Sequence, residues 1–224
     1  MRIHFVTEGT LRAYRAGGRA AACDLLAFGF EGLGEVDYGR ELAGETSKLE
    51  DLALLSREAG CTVVSGCVTV TCGLRSRSAA VADKGRILGV TDMLYVDGEG
   101  DWKGGAHLKV YETGAGKLGL CVGEDLFRPS VASALSLCDA DFLISIFGAA
   151  EDSVPQLMLR ACAFCAGVPA CMCAAGIAQA ADTHGEIRFR SARRECTFDV
   201  AAERAYRITS VRSRGFSRRV RADF

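Results

Sequence analysis

Four cysteines in the last third of the chain have a spacing that could bind a metal. Cys162, Cys165, Cys171 and Cys173 form a C-x2-C-x5-C-x-C pattern, and closely spaced thiolates hold zinc or iron–sulfur centres. The first pair lies on a predicted helix and the second on a predicted strand, whereas zinc sites usually pair two knuckles of matched spacing. The pattern therefore favours small apolar residues of the core over a metal site.

A carboxylate at the end of an apolar run is the second group that could do chemistry. Glu31 follows residues 24–28 and a Gly-Phe turn. At that place it could line a pocket at the carboxyl end of a strand, or lie on a surface loop, because the neighbouring glycines permit both. His4, His107 and His184 are isolated in the sequence, which predicts no histidine-based catalytic dyad.

The elements that must position these residues alternate between strands and helices. Apolar and β-branched runs indicate strands, and apolar positions at a spacing of three and four indicate helices. Single helices between strands predict layered sheets covered by helices. The strands are predicted at residues 3–6, 24–28, 61–71, 78–81, 86–94, 117–122, 141–147, 169–174 and 186–189, and the helices at 11–22, 47–59, 131–138 and 155–166.

The composition is that of a globular protein of one domain, residues 1–224. Its 27 basic and 28 acidic residues give a formal net charge of −1, which provides no general attraction to nucleic acid or to anionic membranes. An arginine-rich tail, about residues 204–224, is expected to be solvated or to contact a partner. No apolar segment is long enough to cross a membrane and none resembles a secretion signal, so we expect a cytoplasmic protein with reduced cysteines.

Several segments, in order, resemble the nitrilase (carbon–nitrogen hydrolase) superfamily. Residues 22–33 resemble the strand that carries its general base, 78–89 the hairpin before its lysine, and 116–129 its nucleophile elbow; 139–144 and 159–161 resemble the strand and helix that follow. The resemblance implies an α/β fold, the four-layer α-β-β-α sandwich of the nitrilase type. It also implies an amide substrate or ligand, no cofactor and a homodimer. Its members use a glutamate, a lysine and a cysteine to hydrolyse C–N bonds.

The resemblance assigns these three positions residue by residue. Glu31 falls on the general base, Gly123 on the nucleophile and Met93 on the lysine, with Lys103 and Lys109 as alternatives for the last. Glycine has no side chain with which to form an acyl intermediate. The nucleophile position is therefore predicted to be vacated.

Residues beside the vacated position complete the predicted site. Glu124 and Asp125 continue the elbow motif and are expected to line the pocket. Cys121 lies two residues before Gly123 and would face the same side of a regular strand, so it is a candidate substitute nucleophile; the competing interpretation is an inert core cysteine.

Three functions follow. The leading one is a non-hydrolytic relative that keeps a pocket for a small amide or carboxylate ligand. The others are an active amide hydrolase with a displaced cysteine, and a metal-binding or scaffold protein built on the cysteine cluster.

Overall fold

The computed structural model describes residues 1–18, 21–96, 101–149 and 153–206, and the strands within them form two sheets. Seven strands form the first, sheet A: β1 (Arg2–Val6), β2 (Leu25–Phe28), β3 (Gly34–Asp37), β4 (Thr62–Thr71), β5 (Leu74–Asp83), β6 (Arg86–Asp92) and β13 (Glu195–Asp199). Six form the second, sheet B: β7 (Val110–Thr113), β8 (Gly116–Val122), β9 (Phe142–Ala149), β10 (Ala170–Ala175), β11 (Ile177–Ala181) and β12 (Ile187–Ser191).

Each sheet has parallel strands at its centre and antiparallel strands towards its edges. Sheet A runs β13-β1-β2-β4-β5-β6, with β3 also paired to β4. Sheet B runs β12-β11-β10-β9-β8-β7. The pairs β1–β2, β2–β4, β8–β9 and β9–β10 are parallel. Parallel strands need crossover connections, and these connections provide the helices.

The helices cover the outer faces of the two sheets. They are α1 (Leu11–Ala16), α2 (Tyr38–Leu42), α3 (Lys48–Ala59), α4 (Pro129–Leu137) and α5 (Val154–Ala166), with a short 3-10 helix at Gly123–Phe127. Buried apolar residues fall into three clusters: one between the two sheets, one between sheet B and α4–α5, and one between sheet A and α1–α3. Three cores between four layers confirm the predicted α-β-β-α sandwich.

Local signals set the ends of several elements. The predicted hairpin at Asp83-Lys84-Gly85 is present, with β5 and β6 antiparallel and positive φ at Lys84 (48°) and Gly85 (84°). The predicted helix over 11–22 ends at Ala16, because Gly17 and Gly18 follow, the second at φ 65°.

Helix α3 begins where predicted, but its cap is different from the predicted one. The Ser47 side chain makes no capping hydrogen bond. The carboxylate of Glu41, from α2, accepts hydrogen bonds from the Lys48 and Leu49 amides instead (3.0 and 3.1 Å). No helix in the described part of the chain is long and apolar enough to span a membrane.

Candidate functional site

A sharp turn joins the end of β8 to the 3-10 helix at Gly123. Gly123 is buried and has φ 54°, in the left-handed region that glycine adopts without steric cost. A Cβ atom at this position would lie 2.5 Å from the Met93 sulfur. Strand–turn–helix elbows of this kind present nucleophiles in other hydrolases. Here the elbow is formed, and the neighbouring sulfur occupies the space of a side chain.

Met93 fills the inner side of this elbow. It is 2% exposed and belongs to the core between the sheets. Its sulfur accepts a hydrogen bond from the Glu124 amide (3.3 Å), and its own amide donates to the Arg77 carbonyl (2.7 Å). The sequence assigned Met93 and Gly123 to two different catalytic positions, and the structure brings these two residues into contact.

Asp125 ties the elbow to the segment that follows Met93. It is 1% exposed, and its carboxylate accepts hydrogen bonds from the Leu94 and Tyr95 amides, each at 3.0 Å. Burial raises the pKa of Asp125, and these hydrogen bonds oppose that effect. Asp125 was expected to line a pocket; in the structure both of its carboxylate oxygens accept hydrogen bonds from backbone amides.

Glu31 does not lie in an enclosed pocket. It occupies an exposed turn after β2, where its Oε2 accepts a long hydrogen bond from the Gly9 amide (3.4 Å). The preceding residue, Phe30, is the one that packs against the core between the sheets. The turn thus directs Phe30 towards the core and Glu31 towards solvent. The sequence analysis placed Glu31 at the inward position, which in the structure is held by the preceding residue, Phe30.

Arg77 is a basic residue beside Gly123 that the sequence analysis did not include. Its Cδ lies 3.9 Å from the position of a Cβ on Gly123, and its guanidinium pairs with Glu124 (Nη1–Oε1 3.0 Å). Arg75 and Arg77 both pack on the Trp102 ring, at 5.3 and 5.4 Å from its centroid. The sequence pattern that could have predicted this basic site is the pair Arg75 and Arg77, since residues two apart on a strand share a face.

The two alternative lysines occupy other places. Lys103 is exposed on the loop before β7. Lys109 donates to the Leu88 carbonyl (3.1 Å) and lies 4.7 Å from the centre of the Tyr111 ring. The three heavy atoms nearest to a Cβ on Gly123 come from Met93 and Arg77, not from either lysine.

A small pocket opens on the solvent side of the elbow. Tyr95, Glu124, Phe127 and Arg128 line a volume of about 240 Å³. The Arg128 guanidinium lies 5.1 Å from the centre of the Tyr95 ring, and Glu124 is held by Arg77. The pocket therefore offers one cation, one carboxylate and two aromatic rings.

Forms of an amidase are among the solved structures with the same architecture. A crystal structure of an amidase from Nesterenkonia sp. is 18% identical, with a TM-score of 0.72, and the alignment covers 91% of each chain. A mutant of the Nesterenkonia AN1 amidase from the nitrilase superfamily is 19% identical, with a TM-score of 0.71 and 88% of each chain covered. The chain has the fold of a nitrilase-superfamily amidase.

One further structure concerns the chemistry of that amidase. A mutant of it, 18% identical with a TM-score of 0.71, covers 91% of this chain and 94% of its own, and shows Michael addition of acrylamide at the active-site cysteine. By sequence, the chain matches no protein-family model and no curated protein. At this level of identity the likeness concerns the nitrilase fold alone.

Cys121 faces away from the elbow of this nitrilase fold. It is 1% exposed and packs in the core between sheet B and helices α4 and α5, whereas Val122 and Met93 lie in the core between the sheets. Burial strongly raises the pKa of the Cys121 thiol. The expected shared pocket with Gly123 is absent, because the positive φ at Gly123 ends the strand alternation on which that expectation depended.

The four-cysteine cluster does not assemble in the nitrilase fold. Cys171 and Cys173 point from β10 into the core between the sheets. Cys162 lies on the other side of sheet B, with its sulfur 3.3 Å from the Leu126 carbonyl. Cys165 is exposed. Within the described residues, no three His, Cys, Asp or Glu side chains are grouped for metal binding. The metal alternative is wrong for this cluster, because sheet B separates its members.

The arginine-rich tail lies almost wholly outside the described residues, which end at 206. At its start, Arg204 forms an ion pair with Asp139, which also pairs with Lys117. This contact fastens residue 204 beside the end of α4.

Proposed function

We propose that this chain is a non-hydrolytic relative of the carbon–nitrogen hydrolases that binds a small amide or carboxylate ligand at its elbow. One observation carries the proposal: the Met93 sulfur lies where a side chain on Gly123 would have to be, 2.5 Å from the Cβ position. The fold shared with amidases supports the location of the site at this elbow.

The chemistry of amide hydrolysis argues against turnover by this route. Covalent catalysis needs a nucleophile, a proton-transfer group and a group that stabilises the oxyanion. Gly123 has no side chain, the Met93 thioether carries neither charge nor proton, and Glu31 is exposed. Cys121 is not a substitute, since its thiol is buried on the other face of sheet B and its pKa is raised.

The pocket beside the elbow has the groups that such a ligand needs. The guanidinium of Arg128 can donate two parallel hydrogen bonds to a carboxylate, and the carboxylate of Glu124 can accept from an amide N–H. Tyr95 and Phe127 supply apolar walls for a short aliphatic chain. A volume of about 240 Å³ limits the ligand to a few heavy atoms beyond its functional group.

Calorimetric titration with short-chain carboxylates and their primary amides tests this proposal. We expect Arg128→Ala to weaken carboxylate binding about tenfold or more, as loss of one charge-assisted pair predicts. Glu124→Gln should selectively weaken amide binding. Arg12→Ala is the matched control, because Arg12 pairs with Asp51 on the far side of sheet A.

Two results would contradict the proposal. The first is that Arg128→Ala binds the carboxylates and the amides as tightly as the wild type does. The second is steady release of ammonia from an amide by the wild type, with more than one turnover per chain. The homodimer and the cytoplasmic location stay predictions, and light scattering of the purified protein tests the first.

A further inference from the structure

Two cysteine side chains meet at the start of two neighbouring strands of sheet A, far from the elbow. The sulfurs of Cys23, just before β2, and Cys61, just before β4, are 3.8 Å apart. A hydrogen bond from the Thr62 amide to the Asp24 carbonyl (3.0 Å) joins the backbones at this point. We propose that Cys23 and Cys61 form a dithiol site that a peroxide oxidises to a disulfide.

The two thiols differ in their access to solvent. Cys23 is half-buried and lines a surface depression of about 500 Å³. Cys61 lies beneath it and is 4% exposed. A small oxidant therefore reaches Cys23 first, and the second sulfur is already in place.

The reaction balances with one peroxide. The Cys23 thiolate attacks one oxygen of H2O2, the O–O bond breaks, and Cys23 becomes a sulfenic acid while the other oxygen leaves as water after protonation. The Cys61 sulfur then attacks the Cys23 sulfur, the S–O bond breaks, and a second water leaves with the proton of Cys61. In total, two thiols lose two protons and two electrons, and the peroxide is reduced to two waters.

The electrostatics of the pair agree with these roles. The hydrogen bond between the two thiols lowers the pKa of Cys23 and raises the pKa of Cys61, with burial adding to the second effect. The thiolate is the nucleophile in thiol oxidation. The more accessible sulfur is thus also the more reactive one.

The geometry requires only a small movement. The two sulfurs are 3.8 Å apart and must approach by about 1.8 Å to reach the disulfide bond length. Neighbouring strands lie about 4.8 Å apart, and side-chain rotation spans this gap. The bond would close a loop across 38 residues, which predicts a rise in the unfolding midpoint of roughly 5 to 10 °C.

Peptide mapping of the full chain tests the site. Reduced protein is treated with a few equivalents of H2O2, free thiols are alkylated, and the digest is analysed by mass spectrometry without reductant. We expect a linked peptide pair containing Cys23 and Cys61 that disappears after treatment with dithiothreitol. Cys72→Ser, which removes an exposed cysteine elsewhere, should leave the link intact, whereas Cys23→Ser should abolish it.

Three results would overturn the inference. The first is oxidation of the exposed Cys72, Cys138 or Cys165 while Cys23 and Cys61 are recovered as alkylated thiols. The second is an unlinked sulfinic acid at Cys23. The third is a linked peptide pair that forms in the wild type but disappears in Cys72→Ser, since the bond would then run to Cys72 and not to Cys61. The wild-type map decides the question even if a variant at the buried Cys61 fails to fold. Elbow ligands are not needed, so the outcome is independent of the proposed function.

Discussion

Replacing Gly123 by alanine tests whether the elbow is filled by Met93. The substitution forces an L-residue to φ 54°, which costs about 1–2 kcal/mol. It also puts a methyl group 2.5 Å from the Met93 sulfur, and overpacking of this kind costs about 1–3 kcal/mol. We expect Gly123→Ala to lower the free energy of unfolding by about 2–5 kcal/mol.

A matched glycine separates the two contributions. Gly60, which ends α3, has φ 65°, and a Cβ there meets no heavy atom within 4 Å. Gly60→Ala should therefore show only the conformational cost, about 1–2 kcal/mol. The amount by which Gly123→Ala lowers the free energy of unfolding more than Gly60→Ala does measures the steric cost of the contact with Met93.

The assay is urea unfolding followed by the fluorescence of Trp102, the one tryptophan of the chain, and by circular dichroism. A double-mutant cycle with Met93→Ala then tests whether the two changes in the free energy of unfolding add up. Because Met93→Ala removes the sulfur, the double variant should be more stable than the sum of the single effects by about 1–3 kcal/mol. Additive effects, or a Gly123→Ala loss no larger than that of Gly60→Ala, would refute the account of a filled elbow.

Two further predictions concern the groups around the elbow. Burial raises the pKa of Asp125, so the folded state holds its proton more tightly than the unfolded state does. The contribution of Asp125 to the free energy of unfolding should therefore fall as pH rises from about 4 through the raised pKa. Urea unfolding measured across this pH range should show the fall in the wild type and not in Asp125→Asn. The double variant Met93→Lys with Gly123→Cys should carry a thiol that acrylamide alkylates, but it should not hydrolyse amides, because Glu31 faces solvent. Adding Phe30→Glu, at the position that faces the core, should produce measurable release of ammonia. Amide hydrolysis by the double variant would contradict this prediction.

The layers of the fold were predictable because their signals are periodic and local. Strand β8, for example, is apolar from Leu118 to Val122, and helix α5 carries apolar residues at helical spacing after Pro155, broken only by Gln156 and Arg160. Strand β13 was not predicted. Its exposed and half-buried residues alternate, and its pairing with β1 joins residues almost 200 positions apart. Nothing in a short window of sequence reports such a contact.

The errors at the site have a common physical origin in the turns. At the end of β2, one residue decides whether Phe30 or Glu31 faces the core, and apolar periodicity stops before that point. At the end of β8, the left-handed conformation of Gly123 breaks the alternation that would have placed Cys121 beside it. Apolar periodicity therefore predicts where the strands end, and the turn conformations decide which side chains face the core at those ends.

The elbow is formed without a side chain at residue 123, and its hydrogen bonds explain why. Asp125 binds the Leu94 and Tyr95 amides, and the Glu124 amide donates to the Met93 sulfur, so these contacts hold the turn without any contribution from residue 123. A nucleophile at φ 54° would add strain of about 1–2 kcal/mol, which glycine avoids. Glycine at this position is thus expected to stabilise this fold, and under the proposed function the elbow positions a ligand against Arg128 and Glu124 without reacting with it.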